Sequence, residues 1–196
     1  KTVKEVCEMN NVDCQTFLVV VNFMAEGFSR MDGSADDISI PALVDYLRQA
    51  HIYFLDYCLP AIRRKLIEAI DCSQDDVSFL ILKFFDGYMR EVRKHMEYEE
   101  KTVFKYVDTL IHGNAPKNYQ ISTFSKHHDQ VGERLTELKN IIIKYCPAKA
   151  NTNVLNAALF DIYACEEGLE SHCKVEDYLF VPAILKLERR MRENEK

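Results

Sequence analysis

No apolar run in this chain approaches the roughly 20 residues a membrane helix needs, and no charged-then-apolar leader opens it at Lys1. A soluble protein is expected, with a piece upstream of Lys1 allowed for because the first residue is not Met. Basic charge is in deficit. The 25 Lys and Arg stand against 31 Asp and Glu, for a formal net charge of −6, and no Lys/Arg patch offsets it. Such a chain has no field to attract phosphate backbones, so neither nucleic acid nor a membrane is expected as a partner. Cys-x-x-Cys spacing is missing as well: the seven cysteines, Cys7, Cys14, Cys58, Cys72, Cys146, Cys165 and Cys173, form an odd, scattered set. This argues against a zinc ribbon and against a secreted disulfide framework. The thiols are expected reduced, in the cytoplasm, and mostly as small buried hydrophobes.

What the chain does have is helical periodicity. Its 196 residues are 47% hydrophobic, enough for one substantial core. Turn-forming residues cluster at 29–39, 71–76, 112–119 and 146–153. Four long segments lie between and after them, at about 40–70, 75–111, 119–146 and 152–190. The first carries Val44, Leu47, His51, Phe54, Cys58, Ile62 and Leu66 at intervals of three and four, which is one face of a helix. The second runs Tyr88, Val92, His95, Glu99, Val103, Tyr106, Leu110, and the third Ile121, Phe124, His128, Val131, Leu135, Leu138, Ile142. In the fourth the stripe is Leu155, Leu159, Ile162, Cys165, Leu169, His172, Glu176, Leu179, Ala183. An all-α, up-down-up-down four-helix bundle over 40–190 is the simplest packing. Pro60 and Pro182 each remove a helical donor and predict a kink. Residues 1–30 predict a small appendage of two short helices broken at Asn10 and Asn11, with Phe17, Leu18, Val21 and Met24 as its second apolar group.

Six polar residues interrupt the apolar stripes: His51, His95, Glu99, His128, His172 and Glu176. A buried imidazole or carboxylate is costly unless it is partnered. His51 and His95 are 44 residues apart, as are His128 and His172, and each pair is centred on a predicted loop. Residues equidistant from the turn of an antiparallel hairpin stand at one height, here about 33 Å from the turn. His95 and His128 are centred near the remaining loop, so the four histidines can share one level. The halves also repeat: His51/His128, His95/His172 and Glu99/Glu176 are each 77 apart, as are the acidic pairs Asp56/Glu133 and Glu100/Asp177. His-x-x-x-Glu, present as HMEYE and HCKVE, sets an imidazole and a carboxylate one helical turn apart on one face. Two bridging carboxylates and four imidazoles suit two cations; iron, manganese and zinc all accept such donors. Positions remain open for an oxo bridge and a small exogenous molecule. His112, in a loop, and His127, turned about 100° off the stripe, are not expected to take part.

At AHIYFLDYCLP, HMEYEEKTVF, HHDQVGERL and HCKVEDYLFVPAI the chain resembles the hemerythrin-like (HHE cation-binding) family, and most closely its di-iron proteins for repair of iron–sulfur centres. The HDQVG run is similar to a His-Asp-x-x-Gly pattern of the repair proteins and selects His128 over His127. Oxygen-carrying hemerythrins have a fifth histidine where this chain has Gly132, a departure from the carrier type. The opening residues are loosely similar to the later part of the repair proteins' N-terminal domain, without its adjacent cysteine pair. The resemblance implies a di-iron protein that helps restore clusters damaged by nitric oxide or oxidants, with damaged iron–sulfur proteins as partners and a homodimer allowed for. The alternatives are a binding module that senses or scavenges oxygen or nitric oxide, and a redox catalyst in which Asp56, Glu133 or tyrosines relay protons. A ferritin-like oxidase is disfavoured, because Arg48, Val92, Ser125 and Leu169 occupy the places where glutamate would precede each histidine by three.

Overall fold

The computed structural model describes residues 1–26, 38–70, 76–114, 119–126, 129–145 and 150–194, the side chains at 125, 126, 129–133 and 194 excepted. Much of the predicted turn-rich sequence lies outside these residues. All regular structure among them is helical. Helices α1 (Val3–Met9) and α2 (Cys14–Glu26) come first, then α3 (Ile40–Ile52), α4 (Leu59–Ala69), α5 (Asp76–Tyr98), α6 (Phe104–Ile111), α7 (Asp129–Lys144), α8 (Thr152–Val175) and α9 (Val181–Asn194). Three π-helical turns, Tyr53–Cys58, Glu99–Val103 and Glu176–Phe180, join α3 to α4, α5 to α6 and α8 to α9. No helix among the described residues is long and apolar enough to cross a membrane.

The break between α1 and α2 falls at the two asparagines. Asn10 caps α1, and Asn11 takes a left-handed φ of 54°, which asparagine tolerates better than most residues. In α2, Val19, Val20 and Phe23 are buried, whereas Phe17, Leu18, Val21 and Met24 are exposed. This helix is apolar on nearly every side, so its composition does not select a face; packing does.

The described chain groups into two compact units, one of residues 1–49, 100–126 and 171–196 and the other of 50–99 and 127–170. In the first, Val19, Val20 and Phe23 share a core with Leu43 and Leu47 of α3, Phe104 and Val107 of α6, and Phe180 and Ile184. The Phe180 ring meets Phe104 edge-on at 5.8 Å. The third predicted helix opens differently from expectation, as a 3-10 segment at Ile121–Lys126. Three residues per turn stack Ile121 above Phe124, and both are buried. The Ile121 N–H donates to Glu188, a buried carboxylate of α9, at 3.0 Å.

In the second unit, Ile62 and Leu66 of α4, Phe85, Tyr88 and Val92 of α5, Leu135 and Leu138 of α7, and Leu155, Ile162 and Leu169 of α8 form one core. All but Phe85, one turn before Tyr88, are stripe positions, buried because hydrocarbon leaves water at about 25 cal/mol per Å². Ion pairs edge it. Arg63 grips Asp86 through two hydrogen bonds, at 2.6 and 3.1 Å, and that hydrogen bonding holds the Asp86 carboxyl below the usual carboxylate range. A depressed folded-state value means that the stabilisation is present above pH about 4 and is lost as pH falls through the folded value. Both side chains are partly exposed, so Asp86→Asn should cost about 1 kcal/mol or less at pH 7, and nothing in strong acid. Urea melts at the two pH values check the sign.

The sequence predicts kinks at Pro60 and Pro182. At each the structure has a π-helical turn ending two residues earlier. The residue before each proline makes the wide bond: Leu59 N–H donates to Phe54 O, and Val181 N–H to Glu176 O. A proline ring in an α-helix strikes the carbonyl four residues back. Widening the preceding turn redirects those carbonyls. It also shifts the stripe by one residue, so Ile184 is fully buried where the α-period carried the stripe to Ala183.

Candidate metal centre

Each of the five described site residues stands at the junction of an α-helix and a π-helical turn, or one turn before it. His51 is the penultimate residue of α3. His95 lies in the last turn of α5, and Glu99 opens the π-helical turn that follows. His172 lies in the last turn of α8, and Glu176 likewise opens the next π-helical turn. The turns Glu99–Val103 and Glu176–Phe180 are offset by the same 77 residues as the His-x-x-x-Glu motifs, so the sequence repeat is also a repeat of backbone form. Single π-helical turns inside α-helices recur at functional sites.

Glu99 sits against two imidazoles. Its Oε2 is 3.0 Å from His51 Nε2, and its Oε1 is 2.8 Å from His95 Nε2. In the second motif, Glu176 Oε1 is 3.4 Å from His172 Nε2. Ligand atoms of His51, Glu99, His172 and Glu176 all lie within 4.8 Å of one another. These four residues are at most 3% exposed, and the His95 side chain is 14% exposed.

The donor set fits a cation. Two donors each about 2.1 Å from one metal stand about 3 Å apart at right angles and about 4.2 Å apart across it. The separations observed here are of that size. Imidazole nitrogen and carboxylate oxygen are donors for iron, manganese and zinc. Two buried carboxylates this close repel each other unless positive charge lies near. The neighbouring Glu100 is held by Arg48, whose Nε donates to it at 3.2 Å and whose guanidinium also lies 5.5 Å over the Phe104 ring.

Five of the six predicted residues are thus placed. Four converge, His95 meets the cluster through Glu99, and His128 lies outside the described residues. His112, expected to stand apart, is exposed and engages Asp108. Tyr46 of α3 was not foreseen. It is partly buried, and burial first, then the Glu176 charge, push its hydroxyl up from the ordinary value. Its hydroxyl reaches Met24 Sδ at 3.5 Å. Nothing in its spacing marks it, since it lies beside the apolar stripe and not on it.

A family model described as the hemerythrin HHE cation binding domain matches residues 42–184, well over half of the chain. The chain belongs to the hemerythrin HHE cation-binding family. All five placed residues and His128 fall within the matched region, while α1 and α2 precede it. Comparison with the curated proteins gives no match. For a hemerythrin HHE domain, a buried cluster of histidine and glutamate that can hold a metal is the expected centre.

Proposed function

We propose that His51, His95, Glu99, His128, His172 and Glu176 hold two iron ions in an up-down-up-down bundle over 40–190, accompanied by a helical segment at 1–30, and that the protein serves in repair of iron–sulfur clusters damaged by nitrosative or oxidative stress. One observation carries the two-metal reading: each oxygen of Glu99 meets a different imidazole, His51 at 3.0 Å and His95 at 2.8 Å. A carboxylate so placed offers each of two cations one oxygen beside one nitrogen. Glu176 with His172 is the second such group, 77 residues on. Bound iron supplies reversible electron transfer and open coordination positions; zinc has no redox chemistry and usually takes four ligands. The protein's own groups hold the ions, and burial of the four converging residues excludes bulk water. His95 is more exposed than these four, at 14%.

The repair reading is supported by the resemblance of HDQVG at 128–132 to the repair proteins and by glycine at 132, where oxygen carriers have a fifth histidine. Iron-loaded protein incubated with an apo-ferredoxin and a sulfide source should restore the ferredoxin cluster faster than an equal amount of free iron. No gain over free iron sinks donation. Burial favours a second reading, a sensor or scavenger of oxygen or nitric oxide, because a diatomic molecule is small enough to reach groups at most 3% exposed. Under that reading the reduced protein should bind nitric oxide and keep its iron through the same incubation.

A further inference from the structure

Away from the metal centre, the second unit carries a cavity of about 730 Å³ between α5 and α7. Val77, Leu80 and Phe84 of α5 and Ile141 of α7 give it hydrocarbon walls, and Tyr145, just after α7, adds a ring. Charged groups gather towards the other end. There Glu91 is ion-paired with Arg134, whose guanidinium lies 5.9 Å over the Phe84 ring. From Val77 to Glu91 the helix advances roughly 21 Å, so the space is elongated. Its volume lies within the roughly 300–1,000 Å³ of small-molecule sites.

Gly87 widens the middle of this channel. A glycine inside a helix costs stability relative to alanine, and is kept where a left-handed φ or a close neighbour requires it. Neither holds here. The backbone at Gly87 is regular helix, and beyond its chain neighbours and helix backbone a Cβ there would meet nothing nearer than the Arg90 guanidinium, at 3.8 Å. The place of the missing side chain is open and lines the cavity. One turn earlier on the same face stands Lys83, exposed and without an ion pair among the described residues. Glu91 already neutralises Arg134, so the lining keeps one uncompensated positive charge.

We propose that this channel binds a free long-chain carboxylate of the fatty-acid class, its alkyl chain along Leu80, Phe84 and Ile141 towards Val77 and its carboxylate met by Lys83 over the space left at Gly87. Both parts of the ligand have a counterpart in the lining. A linear hydrocarbon suits an elongated apolar space of small-molecule size, where its transfer out of water drives binding. A single unpaired ammonium suits a single negative charge. An alkyl alcohol of the same length forgoes that charge, and an alkyl amine sets a like charge against Lys83. A partner protein, whether a helix or a second copy of the chain, would have to cover Lys83, Arg134 and Glu91 as well, and covering an unpaired charge is costly.

The test uses the full chain, titrated in a calorimeter with sodium decanoate and sodium dodecanoate below their micellar concentrations. One carboxylate per chain should bind, about fourfold tighter for each added methylene, hence roughly tenfold or more between the two. Dodecanol and dodecylamine should bind several-fold more weakly than dodecanoate, and Lys83→Met should erase the preference over dodecanol. Gly87→Leu fills the channel and should lower dodecanoate affinity about tenfold or more, with metal content unchanged, which separates the channel from the metal centre. Gly87→Ala favours the helix and should give a smaller loss in the same direction. The proposal is overturned if dodecanoate shows no saturable binding, if dodecylamine binds as tightly, or if Gly87→Leu binds dodecanoate as the wild type does. A dimer that Gly87→Leu dissociates would also overturn it, giving the channel to a second copy. The wild-type titrations decide even if Gly87→Leu folds poorly.

Discussion

Glu99→Gln and Glu176→Gln should each strip most of the metal from the purified protein while making the metal-free chain more stable. Ligand atoms of these carboxylates lie within 4.8 Å of each other, at 0% exposure. At an effective dielectric constant of about 20, two full negative charges at that distance repel by about 3.5 kcal/mol. A bound cation reverses the sign of that interaction, and a glutamine amide removes it. The substitution therefore exchanges metal affinity for apo stability, as expected of groups placed for binding and not for folding. Metal per chain by plasma mass spectrometry, and thermal melts in chelator, separate the two effects. His112→Ala is the control: exposed and bonded locally to Asp108, it should keep its metal. Equal metal loss in His112→Ala and Glu99→Gln would sink the assignment of the centre.

The ligand spacing could be read in the sequence because one α-turn separates His95 from Glu99 and His172 from Glu176, and neither interval contains the wide turn. The wide turns themselves could not be read from periodicity, since an apolar stripe assumes 3.6 residues per turn. Pro60 and Pro182 hint at two of them by removing a donor two residues after each turn ends. The turn at Glu99–Val103 is followed by no proline at that offset, which Lys105 occupies, and it leaves no such sign. The inward face of α2 could not be read for another reason. With Phe17, Leu18, Val19, Val20, Val21, Phe23 and Met24 nearly contiguous, only tertiary packing decides that Val19, Val20 and Phe23 go inside.

Glu188→Ala should be among the most damaging substitutions outside the metal centre, lowering stability by about 2–4 kcal/mol in urea melts. Glu188 is 6% exposed, yet its environment is the opposite of that around Glu99. Its Oε1 accepts the Tyr106 hydroxyl at 2.6 Å and the Ile121 N–H at 3.0 Å, and the Arg192 guanidinium lies 3.5 Å from Oε2. Burial, then this bond, raise the Tyr106 hydroxyl above its ordinary value and keep it a donor. The Ile121 amide is among the first N–H groups of the 3-10 segment, which such a segment cannot satisfy within itself. Removing the carboxylate takes the shared acceptor from two buried donors at once, whereas Tyr106→Phe removes one donor and should cost about 1 kcal/mol. A double-mutant cycle between positions 106 and 188 should therefore show coupling of about 1 kcal/mol or more. A loss below about 0.5 kcal/mol for Glu188→Ala, the range of ordinary surface changes, would show that solvent reaches these donors. With the expected loss of about 2–4 kcal/mol, two buried carboxylates of one family fold differ in role by their neighbours alone: Glu188, met by an O–H, an N–H and a guanidinium, holds the chain together, and Glu99, met by two imidazoles, is placed to hold a metal.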